Sequence, residues 1–361
     1  MEHCYEAAGS GMEGSRWRNH GPSGLAERET DQVGHCQSIL DVGSHKQSHG
    51  RDHKLRVWQL RAQDYARLNR DLPVDGSARG EGQQPWLLHS LPVHALNFCA
   101  FATRLDPDAR DVQEPDGYRP IMIAAPNGVD PGGVDIFQLP SERRISTLAS
   151  DNGANTGMVM AVSLYASATT GRLNLIRGFE DGHIRISARK EVSKSWEWEH
   201  LVTSKAHSQP VLALDIIPGV DCFVSSSADA CIARFAIPST AKAGVTQPER
   251  VVNTKHAGQQ DVKVRSDGRI FATAGWDKSV RVYSAKTLKE LAVLKWHQEG
   301  CYSIAFAQIV ASVDSSHPTH GALTKGDTMD LIRSERSRKA QVAHWLAAGA
   351  KDGKISLWDI Y

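Results

Sequence analysis

The sequence predicts an all-β protein, a β-propeller of nominally seven blades, about six of which are recognisable. Three observations predict it: a recurring short motif, a near-constant spacing between its copies, and a period-two alternation of apolar residues within each copy. The motif passes from a strand of small residues through a turn bearing Asp into an alternating strand that ends in an aromatic. It reads Asp277-Lys278-Ser279-Val280-Arg281-Val282-Tyr283, and again Asp352-Gly353-Lys354-Ile355-Ser356-Leu357-Trp358. Further copies run from Asp52 to Trp58 and from Asp229 to Phe235. The copy from Asp181 ends in Ser187, and a degenerate one follows Asp130 and reaches Phe137.

The intervals support a common unit. Asp181 to Asp229 and Asp229 to Asp277 are each 48 residues, and Asp130 to Asp181 is 51. Asp52 to Asp130 and Asp277 to Asp352 are longer, and each carries polar insertions: 61–82 and 102–118 in the first, 308–340 in the second. Insertions of this kind lengthen loops without altering the blade. Four strands are legible in the best unit, at Asp261–Ser266, Ile270–Ala274, Ser279–Ser284 and Glu290–Lys295.

This unit resembles the WD40 repeat. That family starts each blade near a His, places Ser or Thr four residues before the turn Asp, and an aromatic six residues after it. Here His207, Ser225, Asp229 and Phe235 match in one unit, and His256, Thr273, Asp277 and Tyr283 in another. The resemblance implies that each set forms a buried hydrogen-bonded chain inside its own blade, where a bond to a charged group contributes about 1.5–3 kcal/mol. His, Ser and Asp together also suggest a hydrolase. A catalytic set occurs once, however, whereas this one recurs blade after blade, so the structural reading wins. Asp52, Trp58, Asp181, Asp352 and Trp358 are assigned the same architectural role.

Three segments carry a narrower resemblance: Gly50 to Leu60, Pro92 to Phe98, and Ala274 to Val282, together with the C-terminal run from Gly349 to Tyr361. They are similar to the fungal ASTRA-associated protein 1 family, over about residues 49–361. That resemblance implies a nuclear subunit of the ASTRA assembly, linked to chromatin remodelling and to factors that mature the phosphatidylinositol-3-kinase-like kinases. Composition and spacing imply none of these roles.

Residues 1–48 do not fit the repeat. The family places one blade and most of another before Asp52, yet this stretch is rich in Gly, Ser, Glu, Arg and His. We expect a non-propeller segment, either disordered or an artefact of the gene prediction. WD40 chains use an N-terminal strand to complete the last blade, which protects exposed strand edges. No suitable strand is read in residues 1–48.

Composition excludes several classes. Forty-two basic against 41 acidic residues give a net charge of +1, with no basic excess to favour direct nucleic-acid binding. No apolar run reaches the length of a membrane span, and residues 1–50 lack a signal-peptide core. Six scattered cysteines form no zinc pair and no disulfide framework. The sequence contains no phosphate-binding loop, zinc-protease motif or nucleophile elbow. No cofactor and no metal are expected.

Several features stay open. Arg333, Arg336, Arg338 and Lys339 read as a solvated loop or as a nuclear import signal. Asp106, Asp108, Asp111, Glu114 and Asp116 read as a surface loop that can meet a partner. Trp196 and Trp198 point to one face of an outer strand, for blade packing or partner contact. Trp276 sits where a small polar residue is usual, and can anchor a partner at the rim. The reading is a non-enzymatic scaffold that binds protein subunits. The alternatives are a ubiquitin-ligase substrate receptor, whose basic residue after Trp358-Asp359 is missing, and a propeller enzyme.

Overall fold

A computed structural model describes residues 3–5, 36–47, 50–61, 86–93, 99–106, 120–150, 156–190, 196–240, 246–309 and 343–360. They form six antiparallel sheets. The first holds β2 (Cys36–Gln47), β3 (Gly50–Arg61) and β4 (Trp86–Pro92). The second holds β5 (Ala102–Leu105), β6 (Ile121–Pro126), β7 (Val134–Leu139) and β8 (Arg143–Leu148). The third runs β9 (Val159–Ala166), β10 (Leu173–Phe179), β11 (His183–Arg189) and β12 (Trp198–Lys205). The fourth runs β13 (Val211–Ile217), β14 (Cys222–Ser227), β15 (Cys231–Ala236) and β16 (Arg250–Asn253). The fifth runs β17 (Gln259–Val264), β18 (Ile270–Gly275), β19 (Ser279–Ser284) and β20 (Glu290–Lys295). The sixth holds β21 (Cys301–Phe306), β22 (Trp345–Ala350) and β23 (Ile355–Asp359), with β1 (His3–Tyr5) at its edge.

Burial explains the strand sequences. The second strands β6, β10, β14 and β18 are buried at every residue, because each sheet is covered on both faces by its neighbours. They therefore read as continuous apolar and small runs rather than as alternations. Outer strands such as β20 face solvent and stay largely exposed. Five apolar clusters fill the five interfaces between successive sheets, from Leu55 against Ile123 at the first to Val280 against Leu346 at the last. Innermost strands β5, β9, β13, β17 and β21 lie side by side in that order. Two are stitched by carboxylates: the Val264 N–H donates to Asp215 Oδ2 (2.6 Å) and the Ile304 N–H to Asp261 Oδ2 (3.1 Å). Among the described residues no helix is long and apolar enough to cross a membrane.

Four expectations are corrected. A strand does precede residue 49: β1 pairs with β23, His3 opposite Leu357, and becomes the outer strand of the sixth sheet. A three-residue strand is too short to show alternation, so the sequence hides it. β2 likewise pairs along its whole length with β3, from Cys36 opposite Arg61 to Gln47 opposite Gly50. Ala102–Leu105, expected within a loop insertion, is the innermost strand of the second sheet. All four of its residues are half-buried, so it shows no apolar alternation. Asp106 is buried and accepts from Gln138 Nε2 (2.5 Å), so it is not a loop-surface acid. The other acids of that loop, and the basic cluster at 333–339, lie outside the described residues.

Candidate functional site

The fourth sheet holds the most complete of the expected sets. His207 is buried between β14 and the turn that follows it. Its Nε2 meets Ser225 Oγ at 2.8 Å and its Nδ1 meets Asp229 Oδ1 at 3.3 Å. Asp229 also accepts the Cys231 N–H (2.8 Å) and the Ser208 N–H (2.9 Å). Burial pushes this carboxyl upward, but the His207 bond and the two backbone donors outweigh it, and the net shift is downward. Phe235 offers no N–H to continue the chain and instead stacks on Phe223, centroids 4.9 Å apart.

The fifth sheet is wired differently. His256 is 43% exposed and approaches Asp277 only at 3.4 Å. Thr273 Oγ1 donates to Gln259 Oε1 (2.7 Å), so Gln259 occupies the place expected for His256. Asp277 is held by Arg281, whose Nη1 and Nη2 donate to its two carboxylate oxygens at 3.0 and 2.5 Å. Arg281 stands directly across the strand pair from Thr273. Tyr283 is buried and stacks on Phe271, centroids 5.1 Å apart. Burial foremost pushes its phenol up to about 12.

The sixth sheet carries a chain that the sequence pattern did not reveal. Trp358 Nε1 donates to Ser356 Oγ (2.9 Å), Ser356 Oγ meets His297 Nε2 (2.9 Å), and His297 Nδ1 lies 3.5 Å from Asp352 Oδ2. The position four before Asp352 is Ala348, which lacks a hydroxyl. Ser356 is the cross-strand partner of Ala348, so the hydroxyl reaches the same spot from the opposite strand. The signal was present: His297 opens this unit as His207 opens its own, but the 308–340 insertion separates it from its Asp.

The remaining turn carboxylates cap their own hairpins. Asp181 accepts the His183 N–H (3.0 Å) and pairs with His183 Nδ1 (2.6 Å). Asp130 accepts the Gly132 N–H (3.1 Å) and the Ser150 N–H (2.6 Å). Asp352 accepts the Lys354 N–H (3.1 Å). In each case the donor two residues on closes an Asx-type turn. Asp52 lies within β3 opposite His45 rather than in the turn, and Trp58 lies opposite Ile39; their side chains lie outside the described residues.

Chemically, these groups are spent on architecture. Ser225 is fully buried and Ser356 nearly so, which leaves neither hydroxyl open to a substrate. Each turn carboxylate among the described residues bonds within its own sheet. Among the described residues no group of three or more His, Cys, Asp or Glu is placed to hold a metal ion. Trp196 and Trp198 pack against the core between the second and third sheets, and Trp198 Nε1 donates to Ser146 Oγ (2.9 Å). Trp276, by contrast, is 43% exposed. Its ring lies flat on Gly258, where an added Cβ would fall 2.1 Å from Cε3, and its Nε1 donates to Gln260 Oε1 (2.9 Å).

Comparison with known proteins agrees with this architecture. The family description "WD domain, G-beta repeat" matches residues 249–284, which span the three inner strands of the fifth sheet. The chain is 48% identical to ASTRA-associated protein 1 of Aspergillus flavus, over 87% of this chain and 81% of that protein. It is 46% identical to ASTRA-associated protein 1 of Penicillium rubens, over 89% of this chain and 84% of that protein. A mouse protein, guanine nucleotide-binding protein subunit beta-like protein 1, is 27% identical over 89% of this chain and 76% of its own length. With repeats, sheets and relatives in agreement, the chain belongs to the ASTRA-associated protein 1 family of WD-repeat proteins.

Proposed function

We propose that this chain is a non-enzymatic scaffold subunit of an ASTRA-type assembly, acting in the nucleus in chromatin remodelling and in the maturation of phosphatidylinositol-3-kinase-like kinases. The observation that carries the reading is its 48% identity to a protein named for association with ASTRA. The geometry supports the scaffold half: six stiff sheets present loops and rims, while the His, Ser and Asp groups are consumed in hairpin caps. Partners in this reading are protein subunits, including kinase-maturation factors.

The test is affinity purification of the tagged chain from nuclear extract, with identification of stoichiometric partners. Kinase-maturation factors are the expected result. Cullin components in their place would assign the chain to a ubiquitin ligase and overturn the proposal, as would a chain confined to the cytoplasm.

A further inference from the structure

The fifth and sixth sheets meet at one end of the propeller, where two large aromatics are exposed. Trp276 and Tyr302 are both more than 40% exposed there. Trp276 belongs to the β18–β19 turn and Tyr302 to the start of innermost strand β21. Gly300 lies between them: a Cβ built on it would sit 3.0 Å from the Trp276 carbonyl oxygen and 3.4 Å from Tyr302 Cε2. With no side chain at this position, nothing from Gly300 covers the shelf between the Trp276 backbone and the Tyr302 ring. Trp276 is also immobilised. Gly258 supports its ring, Gln260 holds its indole N–H, and its backbone N–H donates to the Gly258 carbonyl (2.9 Å). A large aromatic fixed before binding loses little rotamer entropy on contact, which is the character of an interface anchor.

Beside the shelf opens a cavity of about 320 Å³, bordered by His256, Asp277, Lys278, Arg281, Lys295 and His297. Asp277 is the one acid on this border, and the Arg281 fork neutralises it. Lys278 and Lys295 are exposed and have no ion-pair partner among the described residues. Lys278 is held in the turn at a φ of 69°, immediately after Asp277. Lys278 and Lys295 thus add two positive charges to this border, although the chain as a whole is nearly neutral.

We propose that this face docks an acidic peptide segment of a partner protein: an apolar side chain lies on the Trp276–Tyr302 shelf, and flanking carboxylates meet Lys278 and Lys295. The choice of occupant follows from charge complementarity, since a rigid apolar anchor next to two ammonium groups with no ion-pair partner among the described residues favours Asp and Glu beside Leu or Phe. This inference rests on the scaffold reading above and deepens it by giving the partner a chemistry.

A randomised peptide-display library, selected on the full chain, tests it. Peptides with Asp or Glu flanking a large apolar residue are the expected selection. A synthetic copy of one should lose about tenfold or more in affinity, by fluorescence anisotropy, on Lys278→Glu/Lys295→Glu and on Trp276→Ala. Its binding should also weaken with added salt. Should Trp276→Ala lower the melting temperature, the charge-reversed variant carries the test, because both lysines are exposed and neither side chain makes a bond among the described residues. Selection without acidic enrichment, no selection at all, or equal affinity in the charge-reversed variant overturns the proposal. If assembly subunits still co-purify in that event, the scaffold reading stands and only this docking face falls.

Discussion

The Tyr165 hydroxyl donates a 2.6 Å hydrogen bond to Asp221 Oδ1 and thereby ties the third sheet to the fourth. The same carboxylate accepts from Thr169 Oγ1 (2.5 Å), Ser167 Oγ (3.0 Å) and the Ala168 N–H (2.7 Å). Burial acts to raise its pKa, but these donors overcome that and bring it down to about 2. Burial, followed by the bond to Asp221, pushes the Tyr165 phenol up to about 12. A carboxyl depressed from 3.8 to about 2 contributes stability that is complete above the ordinary value and is lost as pH falls through the folded one. Asp221→Asn should therefore flatten the acid limb of the melting curve between those two values. Tyr165→Phe removes a donor to an ionised carboxylate and should cost about 1.5–3 kcal/mol. An Asp221→Asn protein whose midpoint tracks the native chain throughout that window would contradict the assignment.

The transposed hydroxyl of the sixth sheet gives a reciprocal test. Ser356→Ala leaves the Trp358 indole N–H and the His297 ring without their shared partner, and should cost about 1–3 kcal/mol. Ala348 faces Ser356 across the strand pair and occupies the position held by Ser225 in the fourth sheet. Adding Ala348→Ser to Ser356→Ala should restore part of the loss, read by thermal unfolding. If the double variant is no more stable than Ser356→Ala alone, the two positions do not share one site.

The fork on Asp277 makes this residue costlier to remove than its counterpart. Asp229→Ala strips a cap and should cost about 1–3 kcal/mol. Asp277→Ala in addition strands Arg281, which is 3% exposed and keeps only a 3.6 Å contact from Nε to Glu290. Its cost should exceed that of Asp229→Ala, and Arg281→Met in the Asp277→Ala background should recover stability. Equal urea midpoints for the two single variants would show that the fork contributes nothing.

The repeat was legible because Asp does the same job in four of its copies: Asp130, Asp181, Asp229 and Asp352 each accept a backbone N–H two residues on. The polar chains behind it were less legible. A hydroxyl can reach a given point from either of two paired strands, so Ser356 serves where Ala348 stands. An amide can replace an imidazole, so Gln259 meets Thr273 while His256 stays at the surface. β1 escaped notice because it is defined by its partner β23, not by any pattern of its own. Trp276 stood out as a departure from the motif, but only Gly258, Gly300 and Tyr302 around it reveal why it is exposed and fixed.

Two glycines after turn aspartates separate backbone strain from contact. Gly182 and Gly353 have φ of +87° and +75°, in the region that L side chains rarely adopt. A Cβ on Gly182 would fall 2.2 Å from the His207 carbonyl oxygen, whereas one on Gly353 meets nothing within 4 Å. Gly353→Ala should cost about 1–2 kcal/mol from the left-handed backbone alone. Gly182→Ala should cost distinctly more, because the His207 carbonyl belongs to the linker that places the fourth sheet. Matching denaturant midpoints would mean that the approach of the two sheets relaxes freely.

Asp261 reverses the acid behaviour of Asp221. It sits on innermost strand β17, and burial first, with the Asp215 charge adding to it, raises its carboxyl to about 6 against the pull of Lys263 and of the Ile304 and Val262 N–H donors. A carboxyl raised in the folded state binds its proton more tightly there than in the unfolded chain. Its contribution is therefore most favourable below about 4 and declines as pH rises toward 6. Asn at this position can still accept the Ile304 N–H through its amide oxygen, but it cannot ionise. The difference in melting temperature, Asp261→Asn minus native, should rise from pH 4 to pH 7. Asp215 has a raised carboxyl of its own and loses a like charge in the variant, so it ionises more easily there and adds to the same rise. The pull of Lys263 on Asp261 exists only once Asp261 ionises and is already contained in the value of about 6, so it leaves the direction of the difference unchanged. A difference that is flat across the range would show that Asp261 keeps an ordinary carboxylate value in the folded protein.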